Sequence, residues 1–184
     1  VTDGSLITNS AVYTTGYYVE NGDKSERFSS RSKTFRVRVD KGAKLYQHSS
    51  TMNGRGRNEL LVSGKGSAVV WYSNWSAFAN GVQSTGLVWI TEGAALTNNY
   101  ALYLGPESEA NQATSWAEMK VDGSTFASKQ GQVIRHGRLT LENDTLWVFS
   151  NQGYITGAGI AGATEELVLD GVRLRTIGTD MPAP

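Results

Sequence analysis

Hydrophobic and polar residues alternate along much of the chain, and the alternation predicts β-strands. The stretch "KTFRVRVDK" places Phe35, Val37 and Val39 on one face and Arg36 and Arg38 on the other. A period of two is that of an extended strand with one buried face. We therefore expect a half-buried strand here.

Other stretches complete this pattern. The segment "TGLVWITEG" is apolar on consecutive positions from Leu87 to Ile90, which predicts a strand buried on both faces. The segment 105–116 has the composition of an exposed loop rather than a helix. We find no long amphipathic helix and no internal repeat in the sequence, so we expect an all-β protein with little helix.

Dipeptides typical of turns lie between the alternating stretches. Asn-Gly and Asp-Gly pairs suit type I′ hairpin turns, because these turns need positive φ at both central positions. Such pairs recur along the chain, among them Asn21-Gly22, Asn53-Gly54, Asp122-Gly123 and Asp170-Gly171.

Hairpin pairing can be checked by register. A turn at Asp170-Gly171 would set Leu169 opposite Val172 and Leu167 opposite Leu174. Turns at Asp122-Gly123 and Asn143-Asp144 would likewise oppose Met119 to Phe126, Leu141 to Leu146, and Leu139 to Val148. The predicted fold is an antiparallel β-sandwich or jelly roll over residues 34–184, preceded by an arm or connector over residues 1–33.

The stretch "VVWYSNWSAF", residues 69–78, is rich in aromatic residues. On a strand, Val69 and Trp71 share a face, so we expect Trp71 in the core. Trp75 lies toward the end of that strand, and we expect it to be half exposed. Asn74 and Trp75 together would form a polar and aromatic rim.

Three further aromatic residues are predicted on polar faces. In "SWAEMKVDG", Ala117, Met119 and Val121 take the apolar face, which leaves Trp116 beside Glu118. Trp147 and Phe149 are predicted to lie on polar faces in the same way. Burying such rings is worth a few kcal/mol, so either a ligand or another chain is expected to cover them.

Amide and aromatic side chains together can bind a sugar, the first by hydrogen bonds and the second by stacking. The stretch "NNYALYLG" has this composition, although an Asn-rich turn entering a strand has it as well. The predicted ligand-binding residues lie on loops and strand ends and are Asn74, Trp75, Asn98, Asn99, Tyr100 and Trp116.

Charge is distributed unevenly along the 184 residues. Residues 1–65 contain eleven Lys or Arg against six Asp or Glu, a net charge of +5, and the remainder contains six against eleven, a net charge of −5. The formal total is zero, which argues against nucleic acid as the main partner. Either the oppositely charged parts neutralise each other within one fold or between neighbouring subunits, which we favour, or the basic part forms a surface that binds an acidic partner.

The sequence offers little catalytic chemistry. "GAGIAG" at 157–162 matches the G-x-G-x-x-G pattern, but a predicted β-hairpin follows it where a nucleotide fold needs a helix. The two histidines, His48 and His136, show no metal-ligand spacing, and cysteine is absent. We expect no enzyme activity, no metal and no cofactor. No apolar run approaches the roughly 20 residues of a membrane helix, so membrane insertion is not expected.

Two segments carry a family resemblance. "DGSLITNSAVY" (3–13) resembles a connector in the tail-tip and central tail-fibre proteins of long-tailed bacteriophages, and "ELVLDGVRLRTIG" (166–178) is similar to their closing C-terminal hairpins. The connector of that family continues into Lys-Ile, whereas Ala11-Val12-Tyr13 follows here. The resemblance implies a trimeric virion component, exposed outside the host, that binds a bacterial surface receptor. The start at Val1 indicates a piece of a longer protein.

Three functions follow as hypotheses. The first is a non-enzymatic host-attachment domain of a phage tail that recognises a cell-surface glycan or an outer-membrane protein. The second is a structural virion module whose aromatic face packs against neighbouring subunits. The third is an enzyme that degrades polysaccharide, for which Glu107 with Glu109, or Glu165 with Glu166, would supply the acid and base.

Overall fold

The chain coils into a β-solenoid in which every strand pairs in parallel with its neighbours. The computed structural model describes residues 6–9, 12–13, 34–52, 56–72, 74–150 and 152–177. The described residues form three sheets of seven, six and six strands, which we call sheets A, B and C. Each turn of the solenoid contributes one strand to each sheet, in the order A, B, C.

The strands of each sheet are as follows. Sheet A contains β1 (Leu6–Asn9), β4 (Lys44–Gln47), β7 (Ala68–Trp71), β10 (Ala95–Asn98), β13 (Thr125–Ser128), β16 (Leu146–Phe149) and β19 (Arg173–Thr176). Sheet B contains β2 (Val12–Tyr13), β5 (Ser50–Met52), β8 (Ser76–Phe78), β11 (Leu102–Leu104), β14 (Gln132–Ile134) and β17 (Ile155–Gly157). Sheet C contains β3 (Thr34–Val39), β6 (Gly56–Ser63), β9 (Ser84–Thr91), β12 (Trp116–Asp122), β15 (Gly137–Glu142) and β18 (Glu165–Asp170).

We number the turns of the solenoid as coils. Coil 3 comprises β7–β9, coil 4 comprises β10–β12 and coil 5 comprises β13–β15. Successive register partners in sheet A from β4 to β19 are 24, 27, 30, 21 and 27 residues apart. The expectation of no internal repeat was therefore wrong at the structural level, because the repeat exists but its length varies from coil to coil.

The predicted antiparallel sandwich or jelly roll was also wrong, although the all-β class was right. Met119 does not face Phe126 across a hairpin; it pairs with Val88 on one side and Leu139 on the other. Alternation alone does not distinguish the two folds, because side chains of parallel and antiparallel strands share the same period of two.

The Asp-Gly and Asn-Asp pairs lie at corners of the solenoid rather than in hairpins. Each connects a strand of sheet C to the next strand of sheet A, as at Asp122-Gly123 between β12 and β13. Positive φ occurs as predicted at Gly123 (φ 55°) and Gly171 (φ 62°), but not at Asp122 or Asp170, the other positions at which a type I′ turn requires it. Asn143 (φ 56°) and Asp144 (φ 63°) both have positive φ. A sharp corner has the same backbone requirement as a hairpin turn, so these residues fit both. The pairs Asn21-Gly22 and Asn53-Gly54 lie outside the described residues.

The core fills the inside of the solenoid with columns of apolar side chains. In sheet C, Val62, Ile90, Val121 and Leu141 are register partners on successive coils, and none of them is exposed. Each such side chain removes apolar surface from water, which is worth about 1.5–3 kcal/mol when burial is complete. The predicted alternation in β3 is confirmed, since Val39 is buried while Arg36 and Arg38 are exposed.

The tryptophans divide between core and surface. Trp71 is fully buried and its ring centroid lies 5.6 Å from that of Phe78, as predicted, while Trp75 is 44% exposed. The prediction for Trp147 was wrong: it belongs to the core, and its indole N–H donates a 2.9 Å hydrogen bond to Ser128 Oγ. Trp89 was expected to be buried but is 38% exposed on the outer face of sheet C.

The last strands of sheets C and A, β18 and β19, are covered less well than the strands before them. Leu167, Leu169 and Leu174 occupy the register positions of Leu139, Leu141 and Trp147. They are nevertheless 44%, 49% and 60% exposed. No later coil stacks on them within the described part of the chain.

The predicted boundary at residue 33 stays a prediction. Within the described residues of 1–33, β1 pairs with β4 and β2 pairs with β5, so both belong to the solenoid sheets. Most of that segment lies outside the described residues.

Replacing Trp71 by Ala should destabilise the protein by about 3–5 kcal/mol, because it removes a fully buried ring and leaves a cavity. Trp75→Ala should cost clearly less, since its ring is already half in water. Chemical denaturation monitored by circular dichroism measures both. Equal losses for the two variants would contradict this assignment of inside and outside.

Candidate functional site

An open pocket of about 290 Å³ lies on the outer side of sheet B. It is lined by Trp75, Asn80, Tyr103, Glu107 and Arg135. Trp75 and Asn80 flank β8 in coil 3, Tyr103 and Glu107 come from coil 4, and Arg135 follows β14 in coil 5. The parallel stacking of three coils therefore brings together residues that are far apart in sequence.

Tyr103 forms the centre of the pocket because side chains alternate between the two faces of its strand. Its neighbours Leu102 and Leu104 are fully buried, so Tyr103 points outward. Its register partners on the adjacent strands are Ala77 and Val133. Both are smaller than tyrosine, so the phenol ring is the largest side chain among these three neighbours.

Trp75 provides a second aromatic surface. Its ring centroid lies 6.2 Å from that of Tyr103, with an angle of 74° between the ring planes. This edge-to-face arrangement is a favourable aromatic geometry, and it holds the half-exposed indole in place. An exposed aromatic face beside polar groups can stack against the C–H face of a sugar ring.

Arg135 lies directly against these rings. Its guanidinium carbon is 4.1 Å from the centroid of the Tyr103 ring, which is within the range of a cation–π interaction. The Nη1 group donates a 3.2 Å hydrogen bond to Asn80 Oδ1. The Nη2 atom is 3.9 Å from Glu107 Oε1, and the Arg135 side chain is only 15% exposed whereas that of Glu107 is 74% exposed.

The backbone at Gly105 fixes the position of the loop that contains Glu107. Gly105 has a φ of 103°, and a Cβ there would lie 2.4 Å from the backbone nitrogen of His136. Its N–H donates to Phe78 O at 2.9 Å, while the N–H groups of Arg135 and His136 both donate to Leu104 O. Only glycine allows the backbones of coils 4 and 5 to approach this closely.

The same loop is anchored to the coil below. It contains a 3-10 helix over Glu109–Thr114, where the sequence predicted an exposed loop. Ser115 Oγ donates to Gly81 O at 2.7 Å and accepts from the N–H of Ser84 at 3.1 Å. The N–H of Gln83 donates to Thr114 Oγ1 at 3.3 Å. These bonds tie the loop to the corner that follows Asn80, so the pocket wall is held from both sides.

The structure brings four of the six predicted ligand-binding residues to one corner, between sheets A and B. Asn74 and Trp75 lie on coil 3, and Asn99 and Tyr100 lie on coil 4. The two corners are joined to their neighbours by backbone hydrogen bonds, including Asn99 N–H to Trp71 O at 2.9 Å. Tyr100 is 39% exposed. Of these four, only Trp75 lines the pocket.

The other two predicted residues lie elsewhere. Asn98 is fully buried inside the solenoid, where its amide donates to Tyr100 O at 2.6 Å and thereby stabilises the corner. Trp116 lies on the outer face of sheet C, as its alternation predicts, and its ring contacts that of His136 edge-to-face at 5.3 Å. Asn98 has no access to a surface ligand in this arrangement.

Sequence reasoning missed Tyr103 and Arg135 of the pocket, did not single out Asn80, and named Glu107 only as a candidate acid or base. One signal was available, since the "LYL" of β11 places a single large aromatic residue between two apolar ones. Because side chains alternate along a strand, this pattern predicts that Tyr103 faces away from the core. Finding its partners required the coil register, which the variable repeat length conceals.

The pocket chemistry suits binding. Its lining supplies stacking from two rings, an amide, a guanidinium and one carboxylate, that of Glu107. The common mechanism of glycoside hydrolysis uses a pair of carboxyl groups, and only one lies in this lining. Within the described residues, no group of three or more His, Cys, Asp or Glu is placed to hold a metal ion. The "GAGIAG" segment leads into strand β18, and the N–H of Gly159 donates to Glu165 Oε1 at 2.8 Å.

No protein-family model, no curated protein and no solved structure matches the chain. Among the described residues, none of the helical structure is long and apolar enough to cross a membrane. The fold and the pocket are therefore inferred from this chain's own residues and contacts.

Replacing Gly105 by Ala should destabilise the protein more than Gly42→Ala. Both glycines have positive φ, at 103° and 77°, but a Cβ at Gly42 would meet nothing within 4 Å. The matched control should cost about 1–2 kcal/mol for the left-handed conformation alone. Gly105→Ala adds a backbone clash, and denaturation curves measure the difference. Equal losses would show that the close approach of coils 4 and 5 is not a constraint.

Proposed function

We propose that this chain is a non-enzymatic carbohydrate-binding module, built as a β-solenoid, that attaches a phage tail fibre to its host. Its binding site is the pocket of Trp75, Asn80, Tyr103, Glu107 and Arg135. The observation that carries the proposal is the half-exposed Trp75 beside Tyr103 and three hydrogen-bonding side chains. An outer-membrane protein as the receptor is the alternative within the same function.

The shape and chemistry of the pocket favour a glycan as ligand. Its volume of about 290 Å³ is near the small end of the usual range for ligand sites, which is about 300–1,000 Å³. The pocket is open, so a longer saccharide can extend beyond it. Aromatic rings offer stacking surface, while the amide, carboxylate and guanidinium offer donors and acceptors for hydroxyl groups.

The assignment to a phage tail is supported by the resemblance in residues 3–13 and 166–178 and by the compatibility of a β-solenoid with tail-fibre proteins. The second segment forms β18 and β19, which lie in separate sheets and are not a hairpin. The resemblance in that segment is therefore one of sequence. The proposed location is the virion, outside the host cell.

Trp75→Ala and Tyr103→Ala should each weaken glycan binding by about tenfold, because an aromatic contact is worth about 1–1.5 kcal/mol. Binding is measured on a bacterial glycan array and by adsorption to host cells. The matched control is Tyr154→Ala, which removes an exposed aromatic residue, 55% against 44% for Trp75, that lines neither the pocket nor the groove of Trp89. If Trp75→Ala binds like wild type, or if the control loses as much, the pocket is not the glycan site.

A second function, a structural module that packs against its own copies, is favoured by the outer face of sheet C. Trp89 and Leu61 are register partners there, and they line an open groove of about 260 Å³ together with Arg38, Thr91 and Glu92. An apolar patch of this kind commonly marks an interface. We infer a homo-oligomer, and the phage resemblance favours a trimer.

Charged residues border this patch. Arg36 and Arg57 both contact the carboxylate of Glu59, whose side chain is 4% exposed. The hydrogen bond from Arg36 lowers the pKa of Glu59, and that from Arg57 adds to this effect against the opposing effect of burial. The carboxylate thus stays ionised and holds two arginines beside the apolar patch.

Trp89→Arg should shift the protein toward monomer, because a charge is costly at a buried apolar interface. Trp75→Arg is the matched control and should leave the oligomer intact. Sedimentation at micromolar concentration measures both. A wild-type protein that sediments as a clean monomer would remove the oligomer proposal.

A further inference from the structure

We propose that the sugar held in this pocket is acidic, and that its carboxylate binds the guanidinium of Arg135. The inference rests on the proposed glycan-binding function and adds the chemical class of the ligand. It assigns Arg135 the recognition of charge and Trp75 the recognition of ring shape.

Arg135 is a cation that is largely removed from water without a closely bound carboxylate. Its side chain is 15% exposed, and the nearest oxygen of Glu107 is 3.9 Å from Nη2, beyond hydrogen-bond distance. A guanidinium has five N–H donors, and the described side-chain hydrogen bond is the one from Nη1 to Asn80. Donor capacity on a partly desolvated cation favours an anionic ligand.

Glu107 does not satisfy this charge in the way a bound carboxylate would. Its side chain is 74% exposed, and a solvent-exposed ion pair with long geometry contributes little. An incoming carboxylate can therefore displace Glu107 toward solvent at small cost. In the absence of ligand, Glu107 lies near the position that the sugar carboxylate would take.

The rings around Arg135 fix the plane in which it can bind. The guanidinium lies 4.1 Å from the Tyr103 centroid, and Asn80 holds Nη1 from the side. Such a fixed, planar fork is suited to bidentate binding of a carboxylate. Trp75 stands at 74° to Tyr103, so a sugar that stacks on the indole can direct a ring substituent toward Arg135.

The test is an array of bacterial surface polysaccharides in which every acidic member is also printed after chemical reduction of its carboxylates to alcohols. Reduction keeps the sugar skeleton and removes the charge. We expect the bound polysaccharides to contain carboxylates and their reduced forms to bind about ten- to a hundredfold more weakly, as for a lost charge-assisted hydrogen-bond pair. Sulfated and phosphorylated neutral polysaccharides form a third set, which tests whether any anion suffices.

Two variants test the residues. Arg135→Lys keeps the positive charge and loses the planar fork, so it should reduce binding to carboxylated members at least tenfold while thermal unfolding changes little. Glu107→Gln removes the competing carboxylate and should bind the acidic members several-fold more tightly than wild type. Binding at or below wild-type strength in Glu107→Gln would overturn the displacement model.

The outcomes separate this inference from the proposed function. Binding to neutral or carboxyl-reduced polysaccharide at wild-type strength, still abolished by Trp75→Ala, would overturn the acidic ligand and leave the glycan site. Preference for sulfate or phosphate esters would also overturn it. No binding to any polysaccharide, or binding insensitive to Trp75→Ala, would overturn both.

Discussion

The structure depends on parallel hydrogen bonding between successive coils, in register. Each interior strand pairs with the equivalent strand of the coil before and the coil after, so its residues lie beside their counterparts one coil away. Side chains consequently form columns, such as Val62, Ile90, Val121 and Leu141 inside sheet C. Apolar residues fill this column, and buried polar side chains at other inward positions, such as Asn98, are hydrogen-bonded. The corners are then free to vary in length, since only the strands must match.

This constraint also makes the pocket. Trp75, Tyr103 and Arg135 are separated by roughly one coil length each along the chain, yet they contact one another in sequence order up the face of sheet B. Residues that follow the same strand on different coils are brought within reach of one ligand. The close approach of the Gly105 and His136 backbones and the hydrogen bond of Ser115 then fix the position of the loop between them. Rigid stacked coils that carry one longer loop at a corner are a suitable scaffold for ligand binding.

Local features could be predicted from the sequence, and long-range ones could not. The outward Arg36 and Arg38, the outward Trp116 and the buried Trp71 follow from alternation, and the corner φ values follow from Asn143, Asp144 and the glycines. Alternation does not say which strand is the neighbour, and a corner with positive φ resembles a hairpin turn. Trp147 was misplaced for this reason, because its face was derived from a hairpin register that does not exist.

The candidate site was predictable only in part, and for the same physical reason. Trp75 was identified because its exposure follows from its place at a strand end. Asn98 was grouped with it because amides beside aromatics suggest a sugar site, whereas its amide satisfies buried backbone at a corner. Arg135 gave no local signal at all. Its role arises from Tyr103 and Asn80, which only the register of coils 3 to 5 places beside it.

The exposed leucines of the last coil have a consequence for how the molecule moves. A solenoid behaves as a one-dimensional stack, in which each coil is stabilised by its immediate neighbours. The last strand of each sheet, β17, β18 or β19, has such a neighbour on one side only within the described chain, and Leu167, Leu169 and Leu174 remain largely in water. Among the described strands, those with a neighbour on one side only are therefore easier to open than those in the interior. Coils 3 to 5 have neighbouring coils on both sides. The pocket therefore keeps its geometry when the terminal strands open locally.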